Sequence, residues 1–251
     1  MDPLCLVVPC HNEQHRLNVG AFTSFVAAHP QVAFCFVDDG SDDGTLEMLR
    51  ALAAGREGNV LVVVSASNVG KAEAVRLGML RAATWKPFAY IGYWDADLAT
   101  PLDELLPMYE LARSRPGCLM VLGSRIKRLG SSITRTATRH YPGRVFATAA
   151  SMVLRLPVYD TQCGAKLMDA SLVPSLFEQP FGSRWIFDVE ILARLRNLVG
   201  REAFLERTAE APLGAWCETG GSHVTWRASL RAPFELWAIE RRYNRRRGNV
   251  A

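Results

Sequence analysis

The sequence predicts an α/β fold with an open, mostly parallel sheet flanked by helices. Short, continuous apolar runs recur along the first half of the chain, which is typical of strands buried on both faces of a parallel sheet. Segments with helical spacing of apolar residues separate these runs, and a polar or glycine-containing turn follows each run. This alternation predicts a Rossmann-type arrangement, in which ligands bind beyond the carboxyl ends of the strands.

Five strands are predicted before residue 125, with a helix in each interval between them. The strands cover residues 4–8, 32–37, 60–64, 90–94 and 119–122, and the helices lie within residues 17–26, 46–52, 72–83 and 101–113. Beyond residue 125 this alternation lapses. There the pattern predicts a helix over 143–156 with Arg144 at its start, a strand-like pair at 167–168, and a helix with Asp188 and Glu190 in its first turn.

Two carboxylates one residue apart follow the fourth predicted strand. Asp95 and Asp97 leave an extended segment on the same face, so both could address one divalent cation, or one the cation and the other a ribose or sugar hydroxyl. A second interpretation is structural, with Asp97 capping the helix predicted to follow near Pro101. The motif alone does not decide between them, because short acidic motifs are frequent by chance.

Polar clusters follow all five predicted strands. The carboxyl ends of parallel strands meet at one edge of the sheet, so these clusters predict a ligand site there. In chain order they contain Asn12 and Glu13, Asp38 and Asp39, Lys71, Asp95 and Asp97, and Arg125.

The usual fingerprints of dinucleotide and P-loop sites are missing. No G-x-G-x-x-G follows the first strand, and G-x-x-x-x-G-K-[ST] does not occur. The first two loops instead present carboxylates and amides, which suit a nucleobase and a ribose, while a diphosphate would need a metal with lysine or arginine. A nucleotide-sugar fits that division.

Basic charge is concentrated in two segments. From residue 222 to the end there are seven arginines against two glutamates, so this tail carries +5, while the preceding residues sum to −1 of the overall +4. We therefore predict a domain over 1–221 followed by a basic amphipathic tail over 222–251. Phe234 and Trp237 are among the apolar positions of this tail, which is predicted to bind an anionic membrane surface as a peripheral anchor. The segment from Arg125 to Arg155 holds seven basic residues and no acidic ones, which predicts an anionic ligand.

Cysteine usage and hydropathy bear on the cellular setting. The six cysteines show no C-x-x-C spacing and fall mostly within apolar runs, which favours a reducing, cytosolic setting over a zinc site or a disulfide framework. No stretch approaches the ~20 apolar residues of a spanning helix, and we expect no signal peptide and no nucleic-acid partner. The expectation is a cytoplasmic protein that associates peripherally with the membrane.

Together these motifs resemble the family 2 glycosyltransferases of the GT-A fold, and within them the dolichyl- or polyprenyl-phosphate β-glucosyltransferases. The matching segments are 8–13, 37–41, 68–71, 95–97, 123–125, 160–166 and 184–190, and the resemblance spans residues 4 to about 225. The acidic loop and the D-x-D pair are common to the wide family. The D-T-Q-C-G and R-W-I-F-D-V-E segments are more specific to the lipid-phosphate branch.

The resemblance implies roles for the matching residues. Asp97 would hold Mg²⁺ or Mn²⁺ and act with Asp188 and Arg125 in catalysis, while Arg144 and Arg125 would meet the acceptor phosphate. The donor nucleotide-sugar would be bound, with Asp38 at the uracil or ribose, by Pro9, Asn12, Glu13, Asp38, Asp39, Lys71, Asp95, Ala96, Gln162 and Trp185.

The resemblance thus predicts an inverting, metal-dependent transferase that moves glucose from UDP-glucose to a polyprenyl phosphate. An acceptor phosphate is already anionic at neutral pH, so no general base is required. One alternative is transfer to a hydroxyl of a glycolipid or polysaccharide, for which Asp188 or Glu190 would serve as the base. Another is a non-catalytic module that binds a nucleotide-sugar or an anionic lipid.

Overall fold

A computed structural model of the chain describes residues 1–134, 137–219 and 226–244, and omits the side chains of 137–141 and 226–230. Some of the basic residues singled out in the sequence therefore lie outside the described residues or have no described side chain. These are Arg135, Arg139, Arg227, Arg245, Arg246 and Arg247.

The strands of the described chain form one large sheet and one small one. They are β1 (Leu4–Cys10), β2 (Val32–Asp38), β3 (Val60–Val64), β4 (Tyr90–Trp94), β5 (Met120–Ser124), β6 (Ser132–Thr134), β7 (Ala165–Asp169), β8 (Thr208–Pro212) and β9 (Ala215–Cys217). The large sheet has the order β3-β2-β1-β4-β7-β5-β8, and β6 pairs with β9 apart from it. In the large sheet only β7 runs antiparallel to its neighbours, which confirms the predicted mostly parallel α/β sheet.

Helices cover both faces of the large sheet. They are α1 (Val19–Ala28), α2 (Thr45–Ala53), α3 (Lys71–Trp85), α4 (Leu105–Ser114), α5 (Ala137–Leu154), α6 (Val173–Phe177), α7 (Phe187–Val199), α8 (Arg201–Arg207) and α9 (Trp226–Asn244), with single 3₁₀ turns at Leu102–Glu104 and Ala170–Leu172.

The core divides into two clusters because successive residues of a strand point to opposite faces of the sheet. Val7 on β1 packs in the cluster that contains α3, α5 and α7, whereas Leu6 and Val8 pack in the cluster that contains α1, α2 and α4. Gly78 lets α3 approach the sheet closely, since a methyl group there would lie 2.3 Å from Val7. Both faces of the central strands are therefore buried, as their continuous apolar runs predict.

The structure corrects several predicted boundaries. Arg144 does not lie at the start of its helix, because α5 begins at Ala137 and continues through Pro142. The turn-like Pro142-Gly143 pair concealed the first residues of this helix in the sequence. The first strand was predicted to end at residue 8, but β1 continues through Pro9 to Cys10. Its pairing with β4 ends at Val7, and beyond that residue only β2 runs alongside it.

The C-terminal helix packs on the body of the protein. Leu236 and Ile239 of α9 are buried in the core cluster that contains α5 and α7. Within the described ranges, no helix combines the length and the apolar character that crossing a bilayer demands. The domain boundary at residue 221 stays a prediction, and α9, which lies beyond it, packs against the core.

Candidate active site

The acidic pair lies at the carboxyl end of β4, and its two carboxylates have different partners. Asp95 accepts a 2.5 Å hydrogen bond from Lys71 Nζ at the start of α3. Asp97 Oδ1 accepts a 3.0 Å hydrogen bond from the backbone N–H of Ala99, and its Oδ2 accepts one from the hydroxyl of Thr219. Among the described residues, Asp95 thus has a cationic partner, whereas Asp97 accepts only from neutral donors.

The structure contradicts the capping interpretation of Asp97. The helical turn that follows begins at Leu102, and the residue before it, Pro101, makes no side-chain capping bond. The Asp97 carboxylate instead accepts a hydrogen bond from the backbone N–H of Ala99, two residues further on, and aspartate commonly forms such a bond in turns. Its carboxylate stays at the sheet edge, partly exposed, where a ligand can reach it.

Lys71 supplies a fixed positive charge beside the acidic pair. Burial alone would lower the pKa of Lys71, but the carboxylates of Asp95 and Asp188, with a smaller contribution from Asp97, outweigh burial and raise this pKa. Lys71 is therefore an ammonium at neutral pH, held by Asp95.

The balance of charge at this edge bears on metal binding. Three carboxylates near this edge each form an ion pair with one cationic side chain. The pairs are Lys71–Asp95, Arg125–Asp160 and Lys166–Asp188. Asp97 lacks such a partner in the described structure. Mg²⁺ commonly binds through one or two carboxylates together with substrate phosphates, so Asp97 fits a cation whose remaining ligands come from a diphosphate. The described residues contain no group of three or more His, Cys, Asp or Glu suited to holding a metal by themselves.

Asp38, the last residue of β2, and Asp39, which follows it, serve different purposes. Asp39 is buried, and its carboxylate accepts the backbone N–H groups of Val69 at 2.7 Å and Gly70 at 2.9 Å, so it holds the loop before α3. Asp38 is also buried, but its Oδ1 has no hydrogen-bond partner among the described residues. An unsatisfied buried acceptor is costly, and an N–H or O–H of a bound ligand would satisfy it.

The loop after β1 is tied to the loop after β2. Asn12 has a positive φ of 55°, and its side-chain oxygen accepts the N–H of Asp42 at 3.0 Å. The buried carboxylate of Glu13 pairs with Arg16. Pro9 is half-buried within β1. Of these predicted donor residues, Asn12 and Glu13 are engaged in holding loop structure, and their contact with a ligand remains a prediction.

Arg125, predicted to bind phosphate, forms a bidentate ion pair with Asp160. Nε and Nη2 of Arg125 lie 2.7 Å and 2.8 Å from the two carboxylate oxygens. Burial raises the pKa of Asp160, but Arg125 outweighs it and lowers this pKa to about 2. The pair is charged at neutral pH, and Arg125 is oriented by Asp160.

Arg144 lies in the same pocket as Arg125. Its guanidinium stacks 3.7 Å from the centre of the Tyr159 ring and donates to the Tyr159 carbonyl oxygen at 2.9 Å. The pocket is also lined by Gln162 and by Thr161, whose buried hydroxyl has no partner among the described residues. Asp160 also lines the pocket and pairs with Arg125, so Arg144 leaves a net positive charge there that suits an anionic ligand, as the acid-free segment predicts.

Asp188 lies in a buried network at the start of α7. Its Oδ1 accepts a 2.5 Å bond from Lys166 Nζ and another from the hydroxyl of Tyr93. The Asp188 side chain is 8% exposed and that of Lys166 is 0% exposed. Burial, with Asp188 beside it, raises the pKa of Tyr93 well above its usual value. Asp188 therefore neutralises a buried ammonium.

Trp185 lies two residues before α7 and is partly exposed. Its neighbour Arg184 extends to the loop before α3, since a methyl group on Gly70 would lie 2.6 Å from Arg184 Nε. A methyl group on Gly164 would lie 1.9 Å from the Asp95 carboxylate. The two segments that the resemblance associates with the lipid-phosphate branch thus lie next to Gly70 and Asp95.

Sequence reasoning assigned no role to several residues that shape this site. Lys166, Asp160 and Tyr93 orient predicted site residues, and Thr219 holds Asp97. Lys166 carried a usable signal, because a lysine beside the apolar Leu167 and Met168 needs a carboxylate if that strand is buried. The contact of Thr219 joins residues 122 positions apart and left no local signal.

Comparison with known proteins identifies relatives along most of the chain. Residues 5–177 match glycosyl transferase family 2. A dolichyl-phosphate beta-glucosyltransferase of Trichomonas vaginalis is 27% identical over 245 residues, which cover 93% of this chain and 69% of the relative. The dolichyl-phosphate beta-glucosyltransferase of Drosophila melanogaster is 29% identical, over 93% of this chain and 74% of its own.

A solved structure shares the fold. Glucosyl-3-phosphoglycerate synthase from Mycobacterium tuberculosis, in complex with Mn²⁺, uridine diphosphate and phosphoglyceric acid, superposes with a TM-score of 0.68. The match covers 95% of this chain and 78% of that chain at 19% identity. This likeness confirms the predicted GT-A fold.

Proposed function

Because the chain belongs to glycosyl transferase family 2, we propose that this glycosyltransferase moves glucose from UDP-glucose to a polyprenyl phosphate of the dolichyl type, with inversion at the anomeric carbon. The names of the relatives support glucose as the transferred sugar and dolichyl phosphate as the acceptor. The neighbour that was solved with Mn²⁺ and uridine diphosphate supports a metal-assisted departure of the diphosphate.

The observation that carries the choice of acceptor is the engagement of both candidate bases. Asp188 already holds the ammonium of Lys166. Glu190 is 1% exposed and accepts from Arg194 at 2.9 Å and from the hydroxyl of Tyr243 at 2.7 Å. A hydroxyl acceptor needs a base that can take a proton, whereas a phosphate is already ionised. This supports a phosphate acceptor over the hydroxyl alternative, and family membership favours an enzyme over a binding module.

In the proposed reaction the phosphate oxygen attacks the anomeric carbon and uridine diphosphate departs. Asp97 would hold Mg²⁺ or Mn²⁺, which when bound neutralises charge on the leaving diphosphate. Lys71, held by Asp95, would contribute a second positive charge to the leaving diphosphate. Arg144 and Arg125 would orient the acceptor phosphate for in-line attack.

Arg144→Ala is expected to raise the KM for polyprenyl phosphate about tenfold and to leave the KM for UDP-glucose within about twofold. One charge-assisted hydrogen bond to the acceptor would be lost, whereas Asp38 and Lys71, proposed for the nucleotide-sugar, do not line this pocket. The measurement is initial-rate transfer of radiolabelled glucose to a short polyprenyl phosphate, with UDP-GlcNAc and GDP-mannose as competing donors.

Lys127→Ala is the matched control, since it removes one exposed positive charge from the same acid-free segment without touching the pocket. Unchanged acceptor kinetics in Arg144→Ala, or a free polyprenol that serves as well as its phosphate, would show that the acceptor assignment is wrong.

The exposed face of α9 supports peripheral binding to an anionic membrane. Phe234 is 74% exposed and Trp237 is 54% exposed, although both lie on a helix whose other face is buried. Arg241 stacks on Trp237 at 4.6 Å, and Arg231 is exposed nearby in the sequence. Aromatic and arginine side chains together favour the interface of an anionic bilayer.

The double variant Phe234→Ala/Trp237→Ala is expected to reduce sedimentation with phosphatidylserine vesicles at least about tenfold, because two interfacial aromatic side chains are lost. Wild-type binding should also fall with added salt. Leu198→Ala, at an exposed apolar position on α7, is the control. Deletion of residues 245–251, which removes three arginines but keeps the hydrogen bond from Asn244 to Val153 O, should also weaken binding to these vesicles. Equal binding to neutral vesicles would contradict the proposal.

A further inference from the structure

The segment 182–186 contains Trp185 and places Arg184 against the loop before α3, next to the candidate donor site. Arg184 lies against Gly70, directly before Lys71, and α7 starts immediately after the segment with Asp188 in its first turn. The conformation of these five residues therefore determines where Trp185 and Arg184 stand relative to the Lys71–Asp95 pair.

Ser183 organises this segment from within. Its hydroxyl oxygen accepts the backbone N–H of Trp185 at 3.1 Å and that of Ile186 at 2.9 Å. The hydroxyl itself donates to the carboxylate of Glu235 on α9. Ser183 is 5% exposed, so these bonds are shielded from water. A hydroxyl that accepts two N–H groups keeps its orientation only if its own proton has an acceptor, and Glu235 is that acceptor.

A second contact ties the same segment to α9. The N–H of Gly182 donates to Glu190 Oε2 at 2.8 Å, and Glu190 Oε1 accepts from the hydroxyl of Tyr243 at 2.7 Å. Glu190 is buried, and Arg194 balances its charge. Glu190, which Tyr243 of α9 contacts, thus holds the start of the segment, and Glu235 of α9 holds its middle through Ser183.

We infer that Glu235 is a positioning residue for the donor-sugar side of the site, acting through Ser183 on Trp185. The C-terminal helix then has a role in donor binding besides any membrane contact, because its Glu235 holds Ser183, 52 residues away in sequence. The identity of the sugar that Trp185 would meet rests on the proposed function. The contact between α9 and the segment does not.

Glu235→Ala is expected to raise the KM for UDP-glucose about tenfold, because Ser183 would no longer be held in the orientation that fixes Trp185, and to leave the KM for polyprenyl phosphate within about twofold. Glu235→Gln keeps an oxygen acceptor for Ser183 and should recover most of the donor affinity. Ser183→Ala removes the other end of the bond and should reproduce Glu235→Ala. Glu240→Ala, on the same helix but without a hydrogen bond to the segment in the described structure, is the control and should match the wild type.

Hydrogen exchange of a peptide covering 182–187, followed by mass spectrometry, gives a readout without turnover. Exchange of the Trp185 and Ile186 amides should speed up in Glu235→Ala and Ser183→Ala and stay unchanged in Glu240→Ala. Wild-type protein that transfers no glucose from UDP-glucose would refute the proposed function, while the exchange result would still decide the role of Glu235. Unchanged exchange, or KM values for both substrates that shift equally, would overturn the inference.

Discussion

Asp97→Ala is expected to reduce glucose transfer at least about a hundredfold while the protein stays folded. Asp97 is the carboxylate of the D-x-D pair without a cationic partner in the described structure, and its partners are the Ala99 N–H and the Thr219 hydroxyl. Removing the group that would hold the metal leaves the charge of the leaving diphosphate poorly balanced, and the loss of one such electrostatic contact commonly costs about 10²–10³ in rate. Transfer assays with and without EDTA, beside a thermal melting curve, measure both effects.

Asp103→Ala is the matched control, because it removes an exposed carboxylate six residues further along the same connection. Its activity should equal that of the wild type. Full wild-type activity in the chelator would exclude the metal role of Asp97. A melting temperature of Asp97→Ala that falls by more than about 5 °C would instead point to the turn onto Ala99 as the main purpose of this residue.

The first half of the fold was predictable because its strands are continuous apolar runs, which in β1 and β2 are buried on both faces. Continuous apolar runs such as 60–64 and 90–94 gave the bounds of β3 and β4 as the structure has them. The elements that were missed are short or polar. β8 alternates buried residues with partly or fully exposed ones, and β6 and β9 have three residues each. None of these three strands therefore has a continuous apolar run long enough to recognise.

The site was predictable as a location but not as a set of contacts. The rule that polar residues after parallel strands converge predicted a common site at this edge of the sheet, and Lys71 and Asp95 meet there. The partners of Asp188 and Arg125 were not predictable, because Lys166 and Asp160 lie in the part of the chain where strand and helix no longer alternate. Antiparallel β7 brings Lys166 in beside Tyr93 of β4, with which it pairs in register.

The network around Asp188 leads to the second large effect. Asp188→Asn is expected to lower the free energy of unfolding by about 3–5 kcal/mol, because it leaves the ammonium of Lys166 buried without its counter-charge. Urea denaturation measures this loss. The double variant Asp188→Asn/Lys166→Met should regain most of the stability, since it removes the unpaired charge and the asparagine oxygen can still accept from Tyr93.

The same pair of variants separates a positioning role of Asp188 from that of a general base. A phosphate acceptor brings no proton to remove, so the stable double variant should retain measurable transfer to polyprenyl phosphate. If Asp188 were the general base, both variants would lack it, and transfer would vanish even in the double variant, whose stability is restored. If Asp188→Asn is as stable as the wild type but inactive, Asp188 acts as a base and the hydroxyl-acceptor alternative becomes the better account. Recovery of stability together with part of the activity in the double variant would identify Asp188 as the residue that keeps Lys166 and Tyr93 in place beneath the donor site.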